Sequence, residues 1–173
     1  MSLGDAGIKT MPEETGSTME ENARLKATVI AAQSGMVTLA DDSGLEVDAL
    51  GGEPGVRSAR YAGEYASDSD RVRHLLGKLE GVPWERRSAT FRCVIAIATP
   101  DGKVATTQGE CHGTIALQPK GGHGFGYDPV FFIPDVGKTM AELPSEVKDS
   151  ISHRGRAAAK VPKVLSLPPF ECR

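Results

Sequence analysis

Two segments of this chain carry side chains whose types and spacing could perform chemistry, and the first is Asp41-Asp42-Ser43. These residues follow an apolar run that ends at Ala40, so the sequence predicts two carboxylates at the end of a strand. Carboxylate oxygens are ligands that Mg²⁺ prefers, and a second carboxylate beside the ion could take a proton from water. The alternative is an Asx-turn without chemistry, because Asp-Ser-Gly is also common turn sequence.

The second segment is the glycine-rich stretch from Lys120 to Gly126, in which Phe125 stands between two glycines. A stretch this rich in glycine lets backbone amides approach an anion. An aromatic ring held in it could stack on a nucleobase. The alternatives are a plain surface loop and a contact of Phe125 with a small satellite core.

Three basic side chains lie further along the chain, where Lys148, His153 and Arg154 fall at i, i+5 and i+6 of a predicted helical stretch. That spacing covers more than one face of a helix. Arginine donates hydrogen bonds to a carbonyl acceptor, whereas a 6-amino group presents a donor at the same place. A pocket lined by such donors would favour 6-oxo purines over adenine, and a solvated basic helix is the alternative.

The elements that must position these segments are helices mixed with strands. Apolar spacing predicts one helix at 18–35 and a second that begins at Ser67 or Ser69. It predicts strands at 36–40, 88–99 and 130–133, and a strand from Val104 that forms a hairpin with 88–99. The final third is predicted to be helical from Ser145, with a disturbance at Pro162. The chain has no repeat and no linker. This order predicts a single mixed α/β (α+β) domain over residues 1–173.

Composition excludes several classes of function. The formal net charge of -3 argues against a nucleic-acid polymer as partner, although not against a small phosphorylated ligand whose charge a metal ion offsets. No apolar run approaches the length of about 18 residues that a membrane span needs. The N-terminus lacks a secretory pattern, and Cys93, Cys111 and Cys172 lack metal-ligand spacing, so we expect a cytoplasmic protein without a zinc site.

Taken in order, these segments resemble the inosine triphosphate pyrophosphatase family, which removes deaminated purine nucleotides. The matching stretches are 12–16, 21–27, Ala40-Asp41-Asp42-Ser43-Gly44-Leu45, 51–56, 58–61, Gly124-Phe125-Gly126-Tyr127-Asp128-Pro129 and 142–143 through Lys148 to Ser152-His153-Arg154-Gly155. Several spaced motifs in one order are far more specific than any one of them.

The resemblance implies a role for each matching position. Asp42 would be the general base and a metal ligand, with Asp41 and Glu13 completing the metal shell. Lys26 and Ser43 would contact the phosphates or sugar. The loop formed by Phe125, Gly126, Tyr127 and Asp128 would bind the base, with Phe125 stacking and Asp128 bonding the purine edge, while Lys148, His153 and Arg154 would read the 6-oxo group.

The resemblance also implies a fold and an activity. Family members have an elongated two-lobed fold around a twisted mixed sheet, with the nucleotide in the groove between the lobes. The implied activity is Mg²⁺-dependent hydrolysis of purine nucleoside triphosphates (ITP, dITP and XTP) to a nucleoside monophosphate and pyrophosphate. The implied assembly is a homodimer.

One family segment has no counterpart here. Family members open with a strand and a Ser/Thr-x-Asn-x-x-Lys loop that leads into a helix and grips the triphosphate. Asn22 is the only asparagine in this chain, and Glu20 and Leu25 stand where that loop has its hydroxyl and its lysine. We therefore expect this chain to lack the first strand, the phosphate loop and the first helix of the family.

That departure leaves two alternatives to the pyrophosphatase hypothesis. The first is a truncated remnant that binds nucleotides or dimerises and has little or no turnover. The second is a related house-cleaning pyrophosphatase with a different base preference.

Overall fold

Five α-helices and six β-strands make up the part of the chain that the computed structural model describes, namely residues 4, 8 and 11–170. The helices are α1 (Met19–Ser34), α2 (Asp68–Lys78), α3 (Ser145–Ile151), α4 (His153–Ala158) and α5 (Val161–Leu165). The strands are β1 (Thr38–Val47), β2 (Pro54–Gly55), β3 (Ser88–Ala98), β4 (Val104–Ile115), β5 (Phe131–Ile133) and β6 (Lys138–Thr139). Within these residues, none of the helices has the length and apolar character needed to cross a membrane.

The strands form one six-stranded sheet in the order β2-β1-β3-β4-β5-β6. The predicted α+β class is confirmed, and so is the hairpin of β3 and β4, which pairs Ser88 with Thr114 and Ala98 with Val104. Every described pairing is antiparallel, so the sheet differs in this respect from the mixed one that we expected.

Strand β1 is longer than its sequence predicts and changes the position of the paired carboxylates. We expected the strand to end at Ala40, but it continues to Val47. Asp41 lies opposite Ile95 of β3, and Asp42 lies opposite Val94. Pairing with the long central strand overrides the turn preference of Asp-Ser-Gly. Because successive side chains of a strand point to opposite faces, Asp41 and Asp42 belong to different sides of the sheet.

One edge of β1 is largely open. Strand β2 pairs only with Leu45 and Glu46, so the described residues provide no partner strand for 38–43. This edge lines a cavity of about 460 Å³. Asp41 and Asp42 are therefore reachable around the edge of the sheet although they start from different faces.

Each face of the sheet carries its own helices. On one face, α1 packs through Ala23, Ala27 and Ala31 against Val94 and neighbouring alanines of β3, and such small side chains let the helix lie close to the sheet. On the other face, the main core joins α2, β3 and β5, and α4 and α5 cover the rest of that face. The predicted start of α1 at Thr18 is confirmed by a side-chain cap at that residue. Of the two predicted starts of α2, Ser67 and Ser69, the structure has its N-cap at Ser67.

The C-terminal third is helical as predicted, but its breaks fall elsewhere. The chain leaves the helix at Ser152, whose backbone is extended and whose hydroxyl accepts a hydrogen bond from the amide of Gly155 at 3.1 Å. Pro162 was expected to disturb a helix, whereas it stands in the first turn of α5, where no amide donor is needed. The N-cap of α3 is Pro144 and not Ser145. The break at Ser152 separates Lys148 on α3 from His153 and Arg154 on α4.

Candidate active site

The ammonium group of Lys26 is shared by two carboxylates on the α1 face of the sheet. Its Nζ donates to Glu14 Oε1 at 2.8 Å and to Asp42 Oδ1 at 3.0 Å. Lys26 is 6% exposed, so these contacts are made largely out of water. A buried charge is stable only when it is paired, and here one cation serves two anions.

This sharing shifts the pKa values of all three groups. Burial by itself lowers the pKa of Lys26, but the hydrogen bonds from its ammonium to Glu14 and Asp42 outweigh burial and raise it. Burial raises the pKa of Asp42, and the charge of Glu14 acts in the same direction, although Lys26 opposes both. The hydrogen bond from Lys26 lowers the pKa of Glu14. Asp42 is therefore the carboxylate of the pair that more readily takes up a proton.

Three further residues hold this cluster in place, and sequence reasoning assigned none of them to it. Asn22 is 1% exposed and its Nδ2 donates to Asp42 Oδ2 at 3.3 Å, while its Oδ1 accepts from the amide of Gly16 at 2.8 Å. Arg60 donates to Glu14 Oε2 at 3.3 Å. The sequence did contain a signal that Asn22 lies beside Lys26. The two residues are four positions apart in α1, on the helix face that also carries Ala23 and Ala27.

Asp41 lies on the other face and has different partners. Its Oδ2 accepts from Arg154 Nε at 3.0 Å and from the hydroxyl of Ser43 at 3.3 Å. The side chains of Asp41 and Asp42 are thus drawn to α4 and α1 respectively. The predicted metal shell of Asp42, Asp41 and Glu13 is not assembled as a unit, because Asp41 faces Arg154 and Glu13 is exposed while Glu14 reaches the cluster.

The donor set on the α1 face is suited to a hard divalent cation. Among the described residues, no group of three or more His, Cys, Asp or Glu side chains is arranged to hold a metal ion. Mg²⁺ does not need one, since it is usually bound through one or two carboxylates plus substrate phosphates and waters. Asp42 and Glu14 supply two carboxylates within reach of one ammonium group.

The glycine-rich segment forms one wall of a second cavity, of about 400 Å³. Phe125 projects from it with 57% of its surface exposed. Lys148 Nζ lies 4.8 Å and Arg154 Cζ 5.1 Å from the centre of its ring, so both cations approach the aromatic ring. An exposed ring beside a cavity and two cations is available to stack on a planar ligand.

Asp128 is the anchor of this wall. It is 3% exposed, and its Oδ2 accepts from the amide of Phe125 at 2.9 Å and contacts the ammonium of Lys148. Gly124 has a φ of +80°, and a Cβ there would overlap Asp128 Oδ2 and lie 2.7 Å from Lys148 Nζ. The glycine at 124 is thus required by the backbone conformation and by the ion pair. Asp128 is turned towards its own loop, whereas we expected it to bond the purine edge.

Two contacts outside the predicted set fix the loop to the rest of the molecule. Asp68, at the start of α2, accepts from the amide of Gly126 at 2.6 Å and pairs with Arg71. The hydrogen bond from Gly126 lowers the pKa of Asp68. The hydroxyl of Tyr127 donates to the carbonyl of Ser58 at 2.9 Å, and burial raises the pKa of Tyr127. The sequence predicted only that a helix begins near Asp68, and it gave no indication of this long-range contact.

His153 forms the inner wall of the cavity. Its ring stacks on Phe91 at 4.6 Å between centroids with an interplanar angle of 12°, and only 7% of the residue is exposed. Burial, with the charges of Arg154 and Lys148, lowers the pKa of His153 to about 4. Within the described residues, its Nδ1 is the one buried side-chain polar atom without a hydrogen-bond partner. His153 therefore lines the cavity with a neutral imidazole ring, while its Nδ1 is buried away from solvent.

The two cavities adjoin, because Ser43, Ala59 and Arg154 line both. Together they form what we call the cleft, with Lys26 and Asp42 at one end and Phe125 and His153 at the other. The structure brings together the predicted residues Asp41, Asp42, Ser43, Lys26, Phe125, Gly126, Tyr127, Asp128, Lys148, His153 and Arg154 along this cleft. Cys93 and Cys111 are free and buried in the sheet, and Cys172 lies outside the described residues.

Known proteins share this fold and sequence. A model of the Ham1 family matches residues 1–164. A dITP/XTP pyrophosphatase of Geobacter sulfurreducens is 58% identical over 159 residues, which are 92% of this chain and 80% of that protein. A HAM1 protein from Coxiella burnetii aligns with a TM-score of 0.89 at 43% identity, covering 95% of this chain and 84% of that one. The Ham1 protein of Staphylococcus aureus aligns with a TM-score of 0.87 at 45% identity, with the same coverage.

We expect Asp68→Ala to loosen the loop that carries Phe125. The variant removes the acceptor of the Gly126 amide, and one hydrogen bond of about 1 kcal/mol corresponds to a roughly five-fold faster amide exchange. Hydrogen exchange followed by mass spectrometry or NMR measures this at 124–127. Asp70→Ala is the matched control, because Asp70 lies on the same helix turn and bonds only Ser67 and Arg73. Equal exchange in both variants would contradict the role of Asp68.

The stability of the protein should fall in mild acid because of His153. Folding lowers the pKa of His153 from 6.5 to about 4, so the unfolded chain binds the proton more tightly. The part of the free energy of unfolding that depends on a neutral His153 is fully present above pH 6.5. It is lost as the pH falls towards 4, and the total loss is about 3 kcal/mol. Urea unfolding of wild type and His153→Phe at several pH values measures it.

The His153→Phe variant keeps an aromatic ring on Phe91 and cannot titrate, so its free energy of unfolding should lack this loss. His112→Gln, at an exposed histidine of β4, should keep the wild-type profile. Parallel pH profiles for wild type and His153→Phe would refute the assignment.

Proposed function

This chain belongs to the Ham1 family, and we propose that it hydrolyses non-canonical purine nucleoside triphosphates such as dITP and XTP to the nucleoside monophosphate and pyrophosphate. The observation that carries the proposal is the pair of adjoining cavities that form the cleft. One end is lined by an aromatic ring and a histidine and suits a base, and the other end has carboxylates and an ammonium group that suit phosphates and a metal ion. The relatives' activity on dITP and XTP agrees with it.

The base end of the cleft suits a purine with an oxygen at position 6. Phe125 offers its face for stacking, and Lys148 and Arg154 lie beside that ring as donors without acceptor capacity. The neutral ring of His153 lines the same cavity. A 6-amino group would bring its own N–H donors against the donors of Lys148 and Arg154, so a hydrogen bond that a 6-oxo group accepts there would be lost.

The phosphate end of the cleft supplies charge and a proton acceptor. The ammonium of Lys26 is paired with two carboxylates, and it can exchange these partners for phosphate oxygens when a nucleotide binds. Asp42 and Glu14 would hold Mg²⁺, which when bound offsets the phosphate charge and activates water. Asp42 has the raised pKa of the two, so it is suited to take the proton of the attacking water, and Asn22 holds its other oxygen in place.

The bond cleaved in the proposed reaction joins the α- and β-phosphates. The base is held by the loop at 124–128 and by α4, so the α-phosphate comes to rest near Ser43 and Arg154, which line both ends of the cleft. The β- and γ-phosphates extend towards Lys26 and leave as pyrophosphate. We further propose that the protein acts in the cytoplasm, as its cysteines and N-terminal sequence predicted, and as a homodimer, as the family resemblance implied.

Pyrophosphate release by wild type with Mg²⁺ tests this function. We expect kcat/KM for dITP and XTP, which carry the 6-oxo group, to exceed that for dATP by on the order of 10²-fold. No release from dITP by a folded sample would favour the alternative of a catalytically weak remnant. Comparable rates on pyrimidine and 6-oxo purine triphosphates would favour the alternative with a different base preference.

Two neighbouring glutamates distinguish the metal shell of the structure from the shell expected from sequence. Glu14→Gln should lower kcat by roughly 10- to 100-fold, because it weakens the hold on Lys26 and removes a metal-directed carboxylate. The matched control Glu13→Gln should change kcat by less than about two-fold, since Glu13 is exposed and outside the cluster. Steady-state rates over a Mg²⁺ titration measure both. A larger loss in Glu13→Gln would restore the original assignment.

A further inference from the structure

We propose that Gly109 and Thr107 of β4 are positioning residues that set base discrimination, because they fix the depth and register of α4 on the sheet. This inference rests on the proposed function and extends it beyond the residues that line the cleft. Neither Gly109 nor Thr107 lines either cavity of the cleft. Both act through α4, which begins with His153 and Arg154.

Gly109 allows the backbone of α4 to rest directly on the strand. A Cβ at Gly109 would overlap the carbonyl oxygen of His153, lie 2.5 Å from the amide nitrogen of Ala157 and lie 3.0 Å from the carbonyl carbon of Arg156. All three atoms are helix backbone, so no side chain can turn aside to make room. An added methyl group therefore has to lift α4 as a body, by on the order of 1 Å in a close-packed interior.

Thr107 fixes the same helix along its axis. Its buried hydroxyl donates to the carbonyl oxygen of Ala157 at 3.0 Å, one turn before α4 gives way to α5. Thr107 and Gly109 are two residues apart on β4, so they point to the same face of the sheet. One residue limits how close α4 lies to the strand, and the other holds its register.

The consequence falls on the side of the cleft that α4 forms, which carries the base contacts. A displaced α4 moves the His153 ring against Phe91 and moves Arg154 relative to Asp41 and Phe125. Asp42, Lys26 and Glu14 are held by α1 and β1 on the other face. Displacement of a positioning group by about 1 Å can lower the reaction rate by up to about 10²-fold. Here we expect the loss to fall on the preferred base, so that discrimination between bases decreases.

The test compares Gly109→Ala with wild type in kcat/KM for dITP and for dATP. We expect the dITP to dATP ratio to fall by about 10-fold or more, because dITP loses its contacts and dATP has few to lose. Gly77→Ala is the matched control, since a Cβ at Gly77 meets nothing within 4 Å. Leu79→Ala, a fully buried side chain at the end of α2, controls for lost stability. Both controls should keep the wild-type ratio.

An equal loss for both nucleotides in Gly109→Ala, or a loss of the ratio in Leu79→Ala as well, would overturn the proposal. If Gly109→Ala does not fold, Thr107 decides the question. Thr107→Ser keeps the hydroxyl and should keep the ratio, whereas Thr107→Val removes it and should lower the ratio several-fold. A normal ratio in Thr107→Val would then overturn the proposal.

Equilibrium binding separates this inference from the proposed function. Calorimetry with dIMP and dAMP reports base discrimination without hydrolysis. Wild type that binds dIMP selectively but releases no pyrophosphate from dITP would refute the hydrolase function and still let the positioning claim be judged. Equal selectivity for dIMP over dAMP in wild type and Gly109→Ala would refute the positioning claim alone.

Discussion

The site depends on one geometric constraint, the alternation of side chains along β1 at an open edge of the sheet. Asp41 and Asp42 are adjacent in the chain, yet the pleat directs them to opposite faces. Asp42 meets Lys26 of α1 at 3.0 Å, and Asp41 meets Arg154 of α4 at 3.0 Å. Because β2 covers only Leu45 and Glu46, a ligand can reach both carboxylates around the same edge.

The two ends of the cleft differ in how they are held. The phosphate end is held by charge, since Lys26 joins Glu14 and Asp42 at a site where burial makes unpaired charges costly. The base end also contains ion pairs, but its position is set by contacts to backbone atoms. Helix α4 lies directly on Gly109, and the amides of Phe125 and Gly126 donate to Asp128 and Asp68. Electrostatic pairing suits a ligand that brings phosphates and a metal ion, while rigid backbone contacts suit the recognition of a flat base.

Sequence patterns predicted the fold class, the β3–β4 hairpin and the start of α2, because each depends on local periodicity and turn residues. They placed the end of β1 too early, since Asp-Ser-Gly has turn propensity and only pairing with β3 overrides it. They also chose Glu13 where the structure brings Glu14 to Lys26, because the orientation of an irregular segment has no periodic signal. The contacts of Asp68 and Gly109 join distant parts of the chain and could not be predicted locally.

A crystal structure of Asp42→Asn with dITP and Mg²⁺ would show which end of the cleft holds the base. We expect the hypoxanthine ring against Phe125 with its oxygen towards Lys148, His153 and Arg154, and the phosphates on the Lys26 side of β1. Phosphates bound at the Phe125 end, or a base seated on the α1 face beside Lys26, would contradict it.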